Sequence, residues 1–282
     1  MSHTHSARKG NKRIVRTAVL AATGGLLLAG SAKAATSTWN VQMSGGPFDW
    51  NTAANWNAGA GPVPVGGDTA AVNQNYTGNL SIDISADAVL QVLNIGDSTT
   101  TTVGGTDYVN VSIGSANAST LTFDVLAGTG GAGTISSSGG SNSIANYLVM
   151  TTAAATTGMT INGNSGTLTI SGDLTGAANV VIGGNNNATY PGLLAPTVAN
   201  MNPGIVAFSG AKTFTGTLTV NANATLRVNS AAAMGSGAGA YITVSGTLAD
   251  GFGMAAGDLA KITTGSSGAL AIAGNTAQPY DL

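Results

Sequence analysis

Residues 208–249 read FSGAKTFTGTLTVNANATLRVNSAAAMGSGAGAYITVSGTLA. Within them run short alternations of apolar and polar residues: Leu218-Thr219-Val220, Leu226-Arg227-Val228, Tyr241-Ile242-Thr243-Val244 and Thr247-Leu248. A period of two directs one set of side chains inward and the other outward along a strand. Each burst is followed by Asn, Ser, Gly or Ala. Segments this short cannot bury an apolar face alone. They must stack on neighbours, which is the physics of a solenoid.

The same pattern extends back to Thr69. It predicts strands at 70–73, 80–84, 89–95, 109–113, 121–126, 147–150, 159–161, 167–170, 180–182, 205–208, 217–220, 225–228, 241–244, 246–248 and 269–272. Leu80, Ile82 and Ile84 face one way, and Ser81, Asp83 and Ser85 the other. One phrase recurs imperfectly: Ser119-Thr120-Leu121-Thr122, Gly166-Thr167-Leu168-Thr169-Ile170, Gly216-Thr217-Leu218-Thr219-Val220 and Gly246-Thr247-Leu248. Asn94, Asn162, Asn221 and Asn229 follow strands, where Asn suits turns and can form ladders between stacked coils. Two low-complexity stretches, 127–143 and 183–202, are expected to be loops or irregular coils.

Residues 1–34 have the form of a secretory signal peptide. Arg8, Lys9, Lys12, Arg13 and Arg16 precede an apolar run from Ala18, and Ala32-Lys33-Ala34 supplies small residues, so cleavage is expected before Ala35. The apolar run is shorter than the roughly 20 residues a membrane span needs. Of nine Lys+Arg, only Lys212, Arg227 and Lys261 follow the cut, whereas all 11 acids, every one Asp, follow it, giving a mature net charge of −8. The mature chain has no His, Cys or Glu.

Three scattered cations leave no basic patch for phosphates, so no nucleic-acid partner is expected. Without Cys there are no disulfides, and stability must come from backbone pairing and packing. Charged residues make up 7% of the chain, against roughly 25% in ordinary domains. Outward positions must therefore be filled by Thr, Ser, Asn and Gly, which suit strands better than helices.

The inventory also bounds the chemistry. A nucleophilic triad lacks its His base, and a zinc site lacks His and Cys ligands. The glycines of 128–136 are not followed by the Asp of a calcium-binding nonapeptide. No cofactor or metal is expected. A pair of carboxylates across a groove could hydrolyse a polysaccharide, and Asp83, Asp87, Asp97, Asp107 and Asp124 are the candidates. The plainer reading of these residues is a solvated outer face. A lyase would need a cation beside acidic ligands, and Arg227, the one mid-strand cation, has no neighbouring Asp in sequence. All three tryptophans, Trp39, Trp50 and Trp56, lie in the segment 35–68 with Pro47, Pro62 and Pro64. They read as a plug over the first coil, or as a glycan-stacking platform.

Residues 208–249 closely resemble the autotransporter-associated β-strand repeat, also called the passenger-associated transport repeat. The resemblance rests on Phe208, Gly210, Thr213-Phe214-Thr215-Gly216, the strands at 218–220 and 226–228, the small residues of 231–237, and Gly246-Thr247-Leu248. Residues 159–184 look like an eroded copy. Trp50-Asn51 and Asn55-Trp56, followed by Pro62, Pro64 and Gly67-Asp68, resemble the N-termini of large exported bacterial proteins with such repeats. The resemblance implies a right-handed parallel β-helix on or beyond the outer membrane, often the passenger of an autotransporter. Residues 275–282 carry no barrel strands with aromatic girdles and no anchor tail. A fragment, or another export route, is expected.

The sequence thus leads to an all-β chain with three parts. A signal peptide occupies 1–34, a Trp-rich cap 35–68, and a right-handed parallel β-helix 69–282. The expected role is a non-enzymatic structural or adhesin-like passenger at the cell surface. Its partners would be surface glycans or neighbouring cells. The alternatives are carbohydrate binding through Trp39, Trp50 and Trp56, and the carboxylate hydrolase.

Overall fold

The computed structural model describes residues 34–41, 44–57, 62–97, 109–124, 132–151, 158–184, 204–237 and 239–272. The leader, Asp107, residues 185–202 and the terminal 275–282 lie outside them.

The alternating bursts are strands, and they fall into three sheets. The first contains β1 (Thr36–Thr38), β3 (Thr69–Val72), β6 (Val92–Gly96), β9 (Gly133–Ser138), β12 (Met159–Gly163), β15 (Val180–Gly183), β17 (Leu218–Val220) and β19 (Ile242–Val244), in that spatial order. The second contains β2 (Gly45–Asp49), β4 (Leu80–Asp83), β7 (Val111–Gly114), β10 (Ser141–Ile144), β13 (Thr167–Ile170), β16 (Ile205–Phe208), β18 (Thr225–Val228), β20 (Thr247–Asp250) and β21 (Ala269–Ile272). The third is shorter: β5 (Ala88–Leu90), β8 (Thr120–Phe123), β11 (Tyr147–Met150) and β14 (Leu174–Gly176). Spatial order follows chain order and the strand pairings are parallel. The chain therefore adds one strand per coil to each of the first two sheets, and in four coils one to the third, and makes a parallel β-helix.

The cap segment takes part in this stack. β1 pairs with β3 and β2 with β4, so residues 35–68 form the first coil.

Register turns the alternation into columns. In the first sheet Ala70, Leu93, Ile135, Ile161 and Ile182 align on successive rungs, and all are fully buried. In the second, Ile82, Ile113, Ile144, Ile170, Phe208 and Val228 form the matching column. The outward side of the first sheet has its own column. It runs Thr36, Thr69, Val92 and Thr134, then Thr160, Val181, Thr219 and Thr243. β-Branched side chains suit this pleated surface.

Two expectations change. The run 89–95 is two strands, β5 and β6, bent at Gln91. The backbone N–H groups of Gln91 and Val92 both donate to the Asp68 carbonyl, at 2.9 and 3.1 Å, and hold the corner. The stretch 127–143 is not all loop, since β9 and β10 occupy most of its described part. Its small polar residues carry no strong strand preference. Parallel neighbours on both sides impose the conformation, with β9 between β6 and β12 and β10 between β7 and β13. The corner between β9 and β10 turns on Gly139 and Gly140, with φ of 62° and 51°. A Cβ on Gly166, at the same corner one coil on, would lie 1.9 Å from the Gly140 carbonyl oxygen, so only glycine allows the coils to close there.

The fold predicts a sharp inside–outside asymmetry. Ile161→Ala should lower unfolding stability by about 2–5 kcal/mol, from lost burial and a cavity. The adjacent outward Thr160→Ala should change it by less than about 1 kcal/mol. Urea denaturation followed by circular dichroism measures both.

Candidate functional site

The three tryptophans come together, but inside the molecule. Trp39 continues β1 by donating its N–H to the Ala71 carbonyl at 2.9 Å, and Trp50 continues β2 by donating to the Asp83 carbonyl at 2.8 Å. Trp56 closes a 3-10 turn at Ala53–Asn55 and bridges Trp39 in antiparallel fashion. The rings of Trp39 and Trp56 meet edge to face at 5.0 Å, and those of Trp50 and Trp56 at 4.7 Å. Trp56 Nε1 donates to the Trp50 carbonyl at 2.7 Å. All three residues are 0% exposed.

A sugar platform needs an open ring face. The stacking platform expected from Trp39, Trp50 and Trp56 is therefore not formed, because their apolar area is spent on closing the first coil.

Each described carboxylate candidate serves the next coil or turn. Asp83 Oδ1 accepts from the Ala116 N–H at 2.9 Å and Asp87 Oδ1 from the Thr120 N–H at 2.8 Å. Asp97 Oδ2 faces the Val109 N–H at 3.4 Å, and Asp124 Oδ1 accepts from Thr151 Oγ1 at 2.9 Å. Asparagines do the same work: Asn79 accepts from the Asn110 N–H, and Asn110 from the Ser141 N–H. These are side chain to backbone links, not the Asn ladder expected at Asn94, Asn162, Asn221 and Asn229, of which Asn162 and Asn229 donate instead to Ser136 and Ser209 on the adjacent rung.

One carboxylate pair does occupy adjacent rungs. Asp49 and Asp83 are in register on β2 and β4. Asp49 takes hydrogen bonds from Ser85 Oγ, Thr52 Oγ1 and the Asn51 N–H. Slight burial opposes its charge, but these donors outweigh it and hold the carboxyl below the ordinary range. A glycosidase acid needs the opposite shift. The signal that sequence reading missed in Asp49 is its position opposite Asp83, visible only once the register is known.

The cations do not form a common site. Lys261 pairs with Asp258 at 3.3 Å. Arg227 is half-buried on β18, with a buried Nε that lacks a partner.

Lys212, counted in the sequence as one of three scattered cations, is 1% exposed. Its Nζ donates to the carbonyls of Gly172 and Gly210 at 3.0 and 2.9 Å and lies 4.9 Å from the centre of the Phe208 ring. It ties one coil to the next. Desolvation lowers its pKa to about 8, against a smaller opposing pull from Asp173.

Asn142 is a second buried polar group, in an otherwise aliphatic column. Its Oδ1 accepts from the Val111 N–H at 2.9 Å, and its Nδ2 donates to Ser137 Oγ and the Gly139 carbonyl at 3.0 and 2.9 Å. Buried amides hold this well only when fully bonded.

Comparison of the chain with protein-family models, with curated proteins and with solved structures finds no match. Among the described residues no group of three or more His, Cys, Asp or Glu could hold a metal ion. The class defined by these features is a parallel β-helix whose described candidate Asp residues and buried Trp residues make structural contacts.

Two outcomes follow. Trp56→Ala should destabilise the chain by about 3–5 kcal/mol, the range for truncating a buried aromatic, seen as a lowered midpoint in thermal unfolding. Lys212 has a folded pKa of about 8 against 10.5 unfolded. As pH rises from 8 towards 10.5, the folded chain releases this proton first, so the unfolded state binds more protons and stability rises. The gain is about 3 kcal/mol by the usual conversion of pKa to free energy. It should vanish in Lys212→Met, when the two chains are compared by urea denaturation across that pH window.

Proposed function

We propose that the chain is an exported, non-enzymatic β-solenoid that serves as a structural or adhesin-like passenger protein at a bacterial cell surface. The observation that carries this reading is the way polar side chains are used. Asp83, Asp87 and the corner Asn residues bind backbone of neighbouring coils or turns, and Asp124 binds the Thr151 hydroxyl of the next coil. The three tryptophans are packed inside. The stack itself is then the useful object, a stiff rod that presents side chains at fixed intervals.

Residues 1–34 and the 208–249 repeat support the location. A basic stretch, an apolar run and Ala32-Lys33-Ala34 suit export. The repeat resembles those of surface passengers. A mature chain without Cys suits any compartment, and its folding needs no oxidation.

Expression of the full chain in a Gram-negative host tests the reading. The expected result is a processed protein whose first residue is Ala35, accessible to added protease on intact cells. A chain retained in the cytoplasm with residues 1–34 intact would overturn it. Release of reducing ends from a polysaccharide panel by the purified chain would overturn the non-enzymatic part.

A further inference from the structure

The outward face of the first sheet is the longest neutral one. Its eight strands contain no charged residue, nor do the four strands of the shorter third sheet. The second sheet carries Asp49, Asp83 and Arg227, and the exposed Asp87 borders the third, whereas Asp68 and Asp97, which border the first, are buried. On a chain of net negative charge, the first sheet is a neutral strip running the length of the stack.

That strip is periodic in two directions. The column from Thr36 to Thr243 advances one rung at a time by in-register parallel pairing. It sets a β-branched methyl on every rung, and a hydroxyl on most, at a repeat of ~4.8 Å. The pattern continues past β19, where Thr243 Oγ1 lies 3.2 Å from Thr263 Oγ1. A second column, two residues along the strands and about 6.7 Å away, holds Thr38, Ala71, Asn94, Ser136 and Asn162.

The hydroxyls of Thr36, Thr69, Thr160 and Thr219 make no hydrogen bond within the described residues. They are free to bond water. Backbone pairing fixes the spacing, and Thr is stiff at χ1, so the array is ordered before anything binds.

These properties select an occupant. A charged polymer has nothing to pair with on this face. A single glycan chain binds best on aromatic faces. The tryptophans are buried, and the exposed Tyr147 lies on the third sheet. Flat rows of methyl groups order water beside them, while neighbouring hydroxyls anchor it at a repeat close to that of water oxygens in the faces of ice. We propose that the outward face of the first sheet is a binding site for the surface of ice. This goes beyond the surface-protein reading and does not depend on it, since the face is the same wherever the chain resides.

The test is uptake of the fluorescently labelled full chain into slowly growing ice, with inhibition of ice recrystallisation as a second readout. The full chain should partition into the ice. Thr160→Lys, at the centre of the column, should remain in the liquid. Thr122→Lys, outward on the third sheet, should partition like the parent chain. Circular dichroism verifies that each variant folds, and Thr219→Lys replaces Thr160→Lys if that variant does not. Exclusion of the full chain from ice would overturn the proposal. So would equal uptake of the Thr160 and Thr122 variants. Binding to cellulose or chitin powder through Thr160, without uptake into ice, would overturn it in favour of a polysaccharide lattice.

Discussion

Every feature of this molecule depends on in-register parallel pairing between successive coils. A strand of three to six residues has no stability alone, and its backbone donors and acceptors must find partners outside the coil. The neighbours above and below supply them, and they also fix which residue lies over which. Inward residues become columns of Ile, Leu, Val and Phe. Outward residues become columns of Thr, Val, Asn and Ser. Corners become stacks of Gly and Asx, where Asn110 accepts from the next coil and itself donates its N–H to Asn79.

This constraint governs the ends and the exceptions. A stack has an open first coil, whose apolar interior and unpaired edge must be covered. Trp39, Trp50 and Trp56 supply the volume, and the antiparallel bridge between Trp39 and Trp56 ends the parallel pattern there. Polar groups inside the stack survive where they are bonded. Asn142 reaches across to the Val111 N–H. Lys212 holds two carbonyls from different turns of the chain. Asn142 is the second residue of β10, and its amide reaches back to the Gly139 carbonyl at the adjoining corner, where backbone groups diverge from the sheet and need side-chain partners.

The sequence made the architecture legible where inward residues are large. Leu80, Ile82 and Ile84 announce their strand, and Leu226 and Val228 theirs. It was blind where a strand is built from small residues. Thr134 to Ser138 has only Ile135 to mark its inner face, and its conformation comes from rungs on either side. Corners inside long apolar runs, such as Gln91, are also set by neighbours. The candidate site was less legible still. Composition identified which residue types were present but not which way they faced. Three tryptophans fit a platform or a plug equally well until burial decided. A lone Lys gives no sign in sequence that it will be enclosed. The neutral Thr column emerges only when register aligns residues that lie 21 to 42 positions apart.

Coils stack at one rung each, whatever the length of chain between strands. Nitroxide labels on cysteines at Thr69 and Thr160, Thr69 and Val181, and Thr69 and Thr219 test it by double electron–electron resonance, against a background free of native Cys. The distance should rise by ~4.8 Å at each step. The step from 181 to 219 should match the step from 160 to 181, although it spans more chain. Distances that grow with the number of intervening residues would contradict it.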